Sequence, residues 1–89
     1  MKDNFVNQLH AMADKNRLAI LEAIAKKGIM TCAEAEALTD LTQPTVSHHI
    51  GILIDSGLLN AKKVGRFTEL TINKKAFASV NGFISKVVK

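Results

Sequence analysis

The chain has 89 residues, enough for one compact domain (1–89) and too few for two, and a core of that size gains from a partner subunit, so a homo-oligomer is expected. No apolar run is long enough to span a bilayer, and Met1 to Met12 is broken by Lys2, Asp3, Asn4, Asn7, Gln8 and His10, so neither membrane nor secretion leader is expected and the location is read as cytoplasmic. The single cysteine, Cys32, excludes an internal disulfide, and the net charge of +4 is too small to name a partner by itself.

Phe5, Val6, Leu9, Met12 and Ala13 recur at helical spacing and predict a first helix starting near Asp3 or Asn4. Asp14 has the character of a cap for a second helix, with Leu18, Leu21, Ile24 and Ala25 on its inward face and Lys26, Lys27 and Gly28 at its close. Thr31 and Glu34 have the spacing of a capping box, which opens a short third helix carrying Ala35 and Leu38 inward. Asp40 and Leu41 form the turn that follows.

A fourth helix starts at Thr42, whose hydroxyl is expected to accept from the first backbone donors, and Pro44 fits the first turn. Val46, His49, Ile50 and Leu53 fall on one stripe and predict its buried face, with His49 a hydrogen-bonded core histidine. Gly57 ends it. Leu58 to Val64 and Phe67 to Ile72 read as two strands joined around Gly65-Arg66. Asn73 caps a last helix, on which Ala76, Phe77, Val80, Phe83, Ile84, Val87 and Val88 form an apolar band too wide for one small domain to cover.

Charge is unevenly placed along this order. From Asn60 onward there are seven bases (Lys62, Lys63, Arg66, Lys74, Lys75, Lys86, Lys89) and one acid, Glu69. From Met30 to Leu59 there are four acids (Glu34, Glu36, Asp40, Asp55) and no Lys or Arg. Any hold on a polyanion therefore falls to the flanks, chiefly Lys62, Lys63 and Arg66 with Lys15 and Arg17. Lys74, Lys75, Lys86 and Lys89 are read as a solvated face.

Two short helices, a tight turn between them and then a basic hairpin are the order of a winged helix-turn-helix, a mainly α fold with a small β-hairpin (α+β), here five helices and a two-stranded wing. Residues 31–57 make the helix-turn-helix and 58–72 the wing. Gln43, Thr45, Ser47 and His48 are the candidates for base edges, since glutamine can bond adenine twice while hydroxyls specify less. Arg17, Lys62, Lys63 and Arg66 are the candidates for the DNA backbone, and the expected partner is double-stranded DNA.

Ala13-Asp14-Lys15-Asn16-Arg17-Leu18-Ala19-Ile20-Leu21, Gln43-Pro44-Thr45-Val46-Ser47-His48-His49-Ile50, Ser56-Gly57-Leu58-Leu59 and Gly65-Arg66-Phe67 closely resemble the ArsR/SmtB family of small bacterial and archaeal repressors. The resemblance covers nearly the whole chain in order. It implies a homodimeric regulator that binds an imperfect palindrome in a promoter. Its interface would be formed by the first and last helices (1–13 and 73–89), through Phe5, Val6, Leu9, Met12, Phe77, Val80, Phe83, Ile84 and Val87. The chain departs from the family pattern at Lys15, where proline is frequent, and at Glu69-Leu70, where aromatics are frequent.

The family's sensing chemistry does not carry over. Its thiol metal sites need at least two cysteines on the third helix, and Cys32 stands alone. Its other common site uses carboxylates and imidazoles of the last helix, where this chain has Ser79, Asn81 and Ser85. No metal, no cofactor and no catalytic residue is expected, and any inducer is unspecified. Cys32 near a helix start is a buried hydrophobe or, as a second reading, a redox thiol coupling between subunits. The acidic helix pair also leaves open a winged module that binds a protein instead of DNA.

Overall fold

Asp14 decides where the second helix begins. Its backbone is extended, and its carboxylate accepts from the amides of Asn16 and Arg17, both at 2.9 Å, so two of the donors left over at a helix start are satisfied. The Arg17 amide bond, foremost, holds the Asp14 carboxyl below the usual carboxylate range. A computed structural model describes residues 3–88; residues 1–2 and 89, and so Lys89 and the outermost ends of the 1–13 and 73–89 segments, lie outside it. Within it α1 (Asp3–Met12) precedes the cap and α2 (Lys15–Lys27) follows.

Next come β1 (Met30–Thr31) and α3 (Cys32–Ala37). Thr31 and Glu34 form the expected box: the Glu34 amide donates to Thr31 Oγ1 at 3.1 Å and the Thr31 amide to Glu34 Oε1 at 2.9 Å. Glu34 is also paired with Lys27, and that bond, more than the bonds with Thr31, lowers its pKa. The chain continues through α4 (Gln43–Asp55), β2 (Leu59–Val64), β3 (Phe67–Ile72) and α5 (Lys74–Val87).

The sheet has one strand more than the hairpin expected. β1 pairs antiparallel with β3, Met30 opposite Leu70 and Thr31 opposite Glu69, which gives the order β1-β3-β2. Two residues are too few to display alternation, so only the pairing reveals that strand. In the hairpin Val64 faces Phe67, leaving Gly65 and Arg66 as a two-residue turn. Gly65 alone of the two has positive φ (+61°), the requirement of a type II′ turn, and open space around it shows that backbone conformation, not crowding, selects glycine there.

The core gathers Ile20, Leu21 and Ile24 from α2, Ala35 from α3, Val46, Ile50 and Leu53 from α4, and Leu58, Leu59 and Leu70 from the sheet region. The expected stripe of α4 is therefore the buried one. On α2 the stripe is rotated: Ile20 is buried, while Leu18 is 50% exposed and Ala25 is exposed. Leu18 lies about 200° around the helix from Ile20, so once α4 and β3 pack over Ile20 and Ile24 it faces outward. Leu38 is likewise exposed, because α3 stops at Ala37 and the half-buried Leu41 packs on the core instead. Thr42 starts α4 as expected but does not cap it; its hydroxyl meets that of Thr45 at 2.9 Å.

Asn73 joins the two ends of the wing segment. Its Oδ1 accepts from the Ala76 amide to start α5, and its Nδ2 donates to the Gly57 carbonyl at 2.8 Å, while its backbone N–H donates to the Leu58 carbonyl at 3.0 Å. The hairpin is thereby closed at its base by the residue that opens the last helix. α5 packs back on α1, with the Phe5 and Phe83 rings edge to face at 5.2 Å.

Candidate nucleic-acid interface

Helix α4 presents two chemically distinct faces. Val46, His49, Ile50 and Leu53 are buried, whereas Gln43, Pro44, Thr45, Ser47 and His48 are exposed on its first two turns. The outward set is uncharged amide, hydroxyl and imidazole, groups that exchange hydrogen bonds with base edges without attracting phosphate. The Thr42–Thr45 hydroxyl contact ties the first turn together and fixes how Thr45 stands. His48 and His49 diverge as adjacent helical residues do, with ring centroids 6.2 Å apart and planes at 48°.

Beside this helix the hairpin carries the cations. Lys62 lies opposite Glu69 and Lys63 opposite Thr68, so the two lysines leave the ribbon on opposite faces, and both are exposed. Arg66 stands at the turn. Flanking it are two apolar side chains that reasoning from charge does not find, Val64 and Phe67, the latter 55% exposed. An aromatic next to an arginine at a strand tip is the signal that could have found them.

Arg17, expected on the DNA backbone, is engaged inside the fold. Its Nε donates to the Ala11 carbonyl at 2.6 Å and its NH2 lies 3.4 Å from the His10 carbonyl, two acceptors of the last turn of α1, while its NH1 lies 3.2 Å from His49 Nδ1. Arginine only donates, so Nδ1 of His49 is the acceptor and the imidazole proton sits on Nε2. His49 is thus the hydrogen-bonded core histidine expected, and its partner is the arginine expected elsewhere.

Cys32 is half-buried, and desolvation, with Glu36 adding to it, raises its thiol pKa despite its place at the start of α3. Both effects hold it as the thiol at neutral pH, which runs against an activated cysteine. Among the described residues no group of three or more His, Cys, Asp or Glu side chains is placed to hold a metal ion. Nor is any described helix long and apolar enough to cross a membrane.

The nine residues named for the α1–α5 interface fall into three groups. Phe5 packs on Phe83 in its own chain, and Val80 is already buried there. Met12 and Phe77 are half-buried. Val6, Leu9, Phe83, Ile84 and Val87 remain exposed and line the outer side of the two helices.

Residues 12–60, which run from the end of α1 to the start of β2, match the family model described as a helix-turn-helix domain. The arsenical resistance operon repressor of Bacillus subtilis is 26% identical over 82 residues, covering 92% of this chain and 75% of that protein. A crystal structure of an ArsR family transcriptional regulator is 28% identical and superposes with a TM-score of 0.85 over 94% of this chain and 86% of its own. The chain belongs to the ArsR family of winged helix-turn-helix transcriptional regulators. Membership places it among DNA-binding repressors rather than enzymes. The fold is shared as well with a homodimeric winged helix-turn-helix domain from Mycobacterium bovis solved by NMR, 23% identical, with a TM-score of 0.77 over 97% of this chain and 79% of that one. For this ArsR-family chain the matched stretch contains the whole helix-turn-helix and the first residues of β2, and the rest of the wing and α5 lie beyond it.

Proposed function

We propose that this ArsR-family protein represses transcription as a homodimer that lays α4 of each subunit in the major groove and clamps the duplex with its two wings. The observation that carries the reading is the division of labour between neighbouring elements: a neutral, exposed first half of α4 beside a hairpin with Lys62, Lys63 and Arg66. Gln43 and His48 supply most of the discrimination, Thr45 and Ser47 the rest. Lys62 and Lys63, on opposite faces of the wing, suit a ribbon set edge-on between two phosphate strands, with Arg66 leading into the minor groove.

Dimerisation is supported by the uncovered apolar side of α1 and α5 and by the homodimeric state of the Mycobacterium bovis relative. Two copies related by a twofold axis read two half-sites about one helical turn, roughly 34–36 Å, apart, and so impose an imperfect palindrome. Occupying a promoter excludes polymerase by bulk alone, without metal, cofactor or catalytic group. Selection of bound fragments from the source genome with the purified protein should return such paired half-sites. Enrichment of unpaired single half-sites, or of no sequence at all, would contradict the proposal.

A further inference from the structure

Past Thr31, which pairs with Glu69, β1 gives way to α3 and β3 keeps β2 as its neighbour, so the wing ends in a two-stranded ribbon. Val64 and Phe67 are its last pair before the Gly65-Arg66 turn. Residues directly opposite one another point to the same side of a ribbon, and alternation puts the Lys62–Glu69 pair on that side with them. The other side carries Leu70, which is fully buried, so Val64 and Phe67 point away from the core. They are 42% and 55% exposed, apolar surface that the single chain leaves in water.

We propose that Val64 and Phe67 grip DNA by the sugar wall of the minor groove and supply affinity that salt does not screen. The inference rests on the DNA-binding reading and adds an apolar contact to its cationic clamp. Charge chooses the partner: Arg66 leads the pair, Lys62 follows it on the same side and offsets Glu69 opposite, and Lys63 stands on the other side. The apolar pair therefore reaches a polyanion held among cations. Depth chooses the part of the duplex. A minor groove about 6 Å wide admits the turn and the side chains next to it, but not the body of the ribbon. The walls of that groove are deoxyribose, C–H surface bordered by phosphate, and a ribbon entering edge-on presents one face to each wall. Val64 and Phe67 then cover sugar on one side, while Lys63 and Thr68 meet phosphate and water on the other. Contacts to the sugar carry no direct sequence information, so this one strengthens binding to every duplex alike.

The test is a salt titration of binding to a mixed-sequence DNA duplex by the native chain, Phe67→Ala and Phe67→Leu, each verified as folded by circular dichroism. Phe67→Ala is expected to weaken binding about tenfold at every salt concentration, giving a line parallel to the native one, and Phe67→Leu to restore most of the loss. A second pair of probes, alternating inosine–cytosine and guanine–cytosine duplexes, shows the same major-groove edges, but only guanine sets an amino group in the minor groove. The native chain is expected to bind the inosine duplex more tightly, and Phe67→Ala to lose most of that preference. A native line flat in salt would overturn the DNA-binding reading and this inference with it. A steep native line left unmoved by Phe67→Ala would overturn the inference alone, as would a changed slope, which would make Phe67 a support for Arg66, or equal binding of the two alternating duplexes by the native chain. Loss of self-association in Phe67→Ala by sedimentation would overturn it too, by making the patch a contact between copies.

Discussion

The guanidinium of Arg17 lies 3.2 Å from Nδ1 of His49 while also reaching carbonyls of the last turn of α1, so one side chain of α2 fastens the buried side of the reading helix to α1 and α2. A cation donating to carbonyls of a helix end is doubly favoured, by hydrogen bonding and by the helix dipole. Replacing Arg17 with Met should therefore cost about 1–3 kcal/mol of stability in chemical denaturation and leave the salt dependence of DNA binding unchanged. A lowered salt slope with unaltered stability would return Arg17 to the phosphate backbone.

Gln43 stands exposed at the first turn of α4, where a base edge is within reach of a helix in the major groove. Gln43→Ala should narrow the gap between operator and random duplex by about 1–3 kcal/mol, measured by competition binding, with affinity for random DNA retained. A uniform loss on every duplex would mean that Gln43 positions the helix and does not read sequence.

The acid limb of stability should bear the mark of Asp14. Its carboxyl has a lowered pKa in the fold, so below its ordinary value the unfolded chain binds more protons than the folded one. The contribution is complete above about pH 4 and is lost as pH falls through the lowered folded value. Thermal midpoints followed from pH 5 to pH 2 should fall less steeply for Asp14→Asn, whose amide oxygen can still cap but does not titrate. Parallel curves for the two proteins would remove Asp14 as a source of the acid loss.

Self-association is best tested at Ile84. Phe83 also holds Phe5 within its own chain, whereas Ile84 is half exposed on the outer side of α5. Ile84→Asp should give a folded monomer by sedimentation, with helical content kept and operator affinity reduced. A dimer of wild-type stability would place the interface elsewhere.

Local chemistry is legible in the sequence and tertiary choices are not. Asp14, the Thr31–Glu34 box and Asn73 begin helices where expected, because a cap is decided by a side chain and the two or three amides after it. The buried face of α4 is equally plain, since its other face carries Gln43, Thr45, Ser47 and His48 and leaves one apolar stripe. On α2 both Leu18 and Ile20 are apolar, and only the packing of α4 and β3 decides between them. The place of Arg17 is hidden for a similar reason. Charges counted along the chain do not show the carbonyls of α1 that fold back beside it. The exposure of Phe67 depends on the hairpin reaching beyond the core, which no local pattern of residues displays.

The most direct test of a neutral reader held by a cationic wing is a salt titration of duplex binding by the native chain and by a variant with Lys62, Lys63 and Arg66 all changed to Gln. For the native protein the logarithm of the binding constant should fall steeply and linearly with the logarithm of salt concentration, and the variant's slope should be shallower by about 0.9 for each phosphate that its wings no longer neutralise. A slope that is flat in the native protein, or identical in the two, would contradict the account and favour a winged module whose partner is another protein.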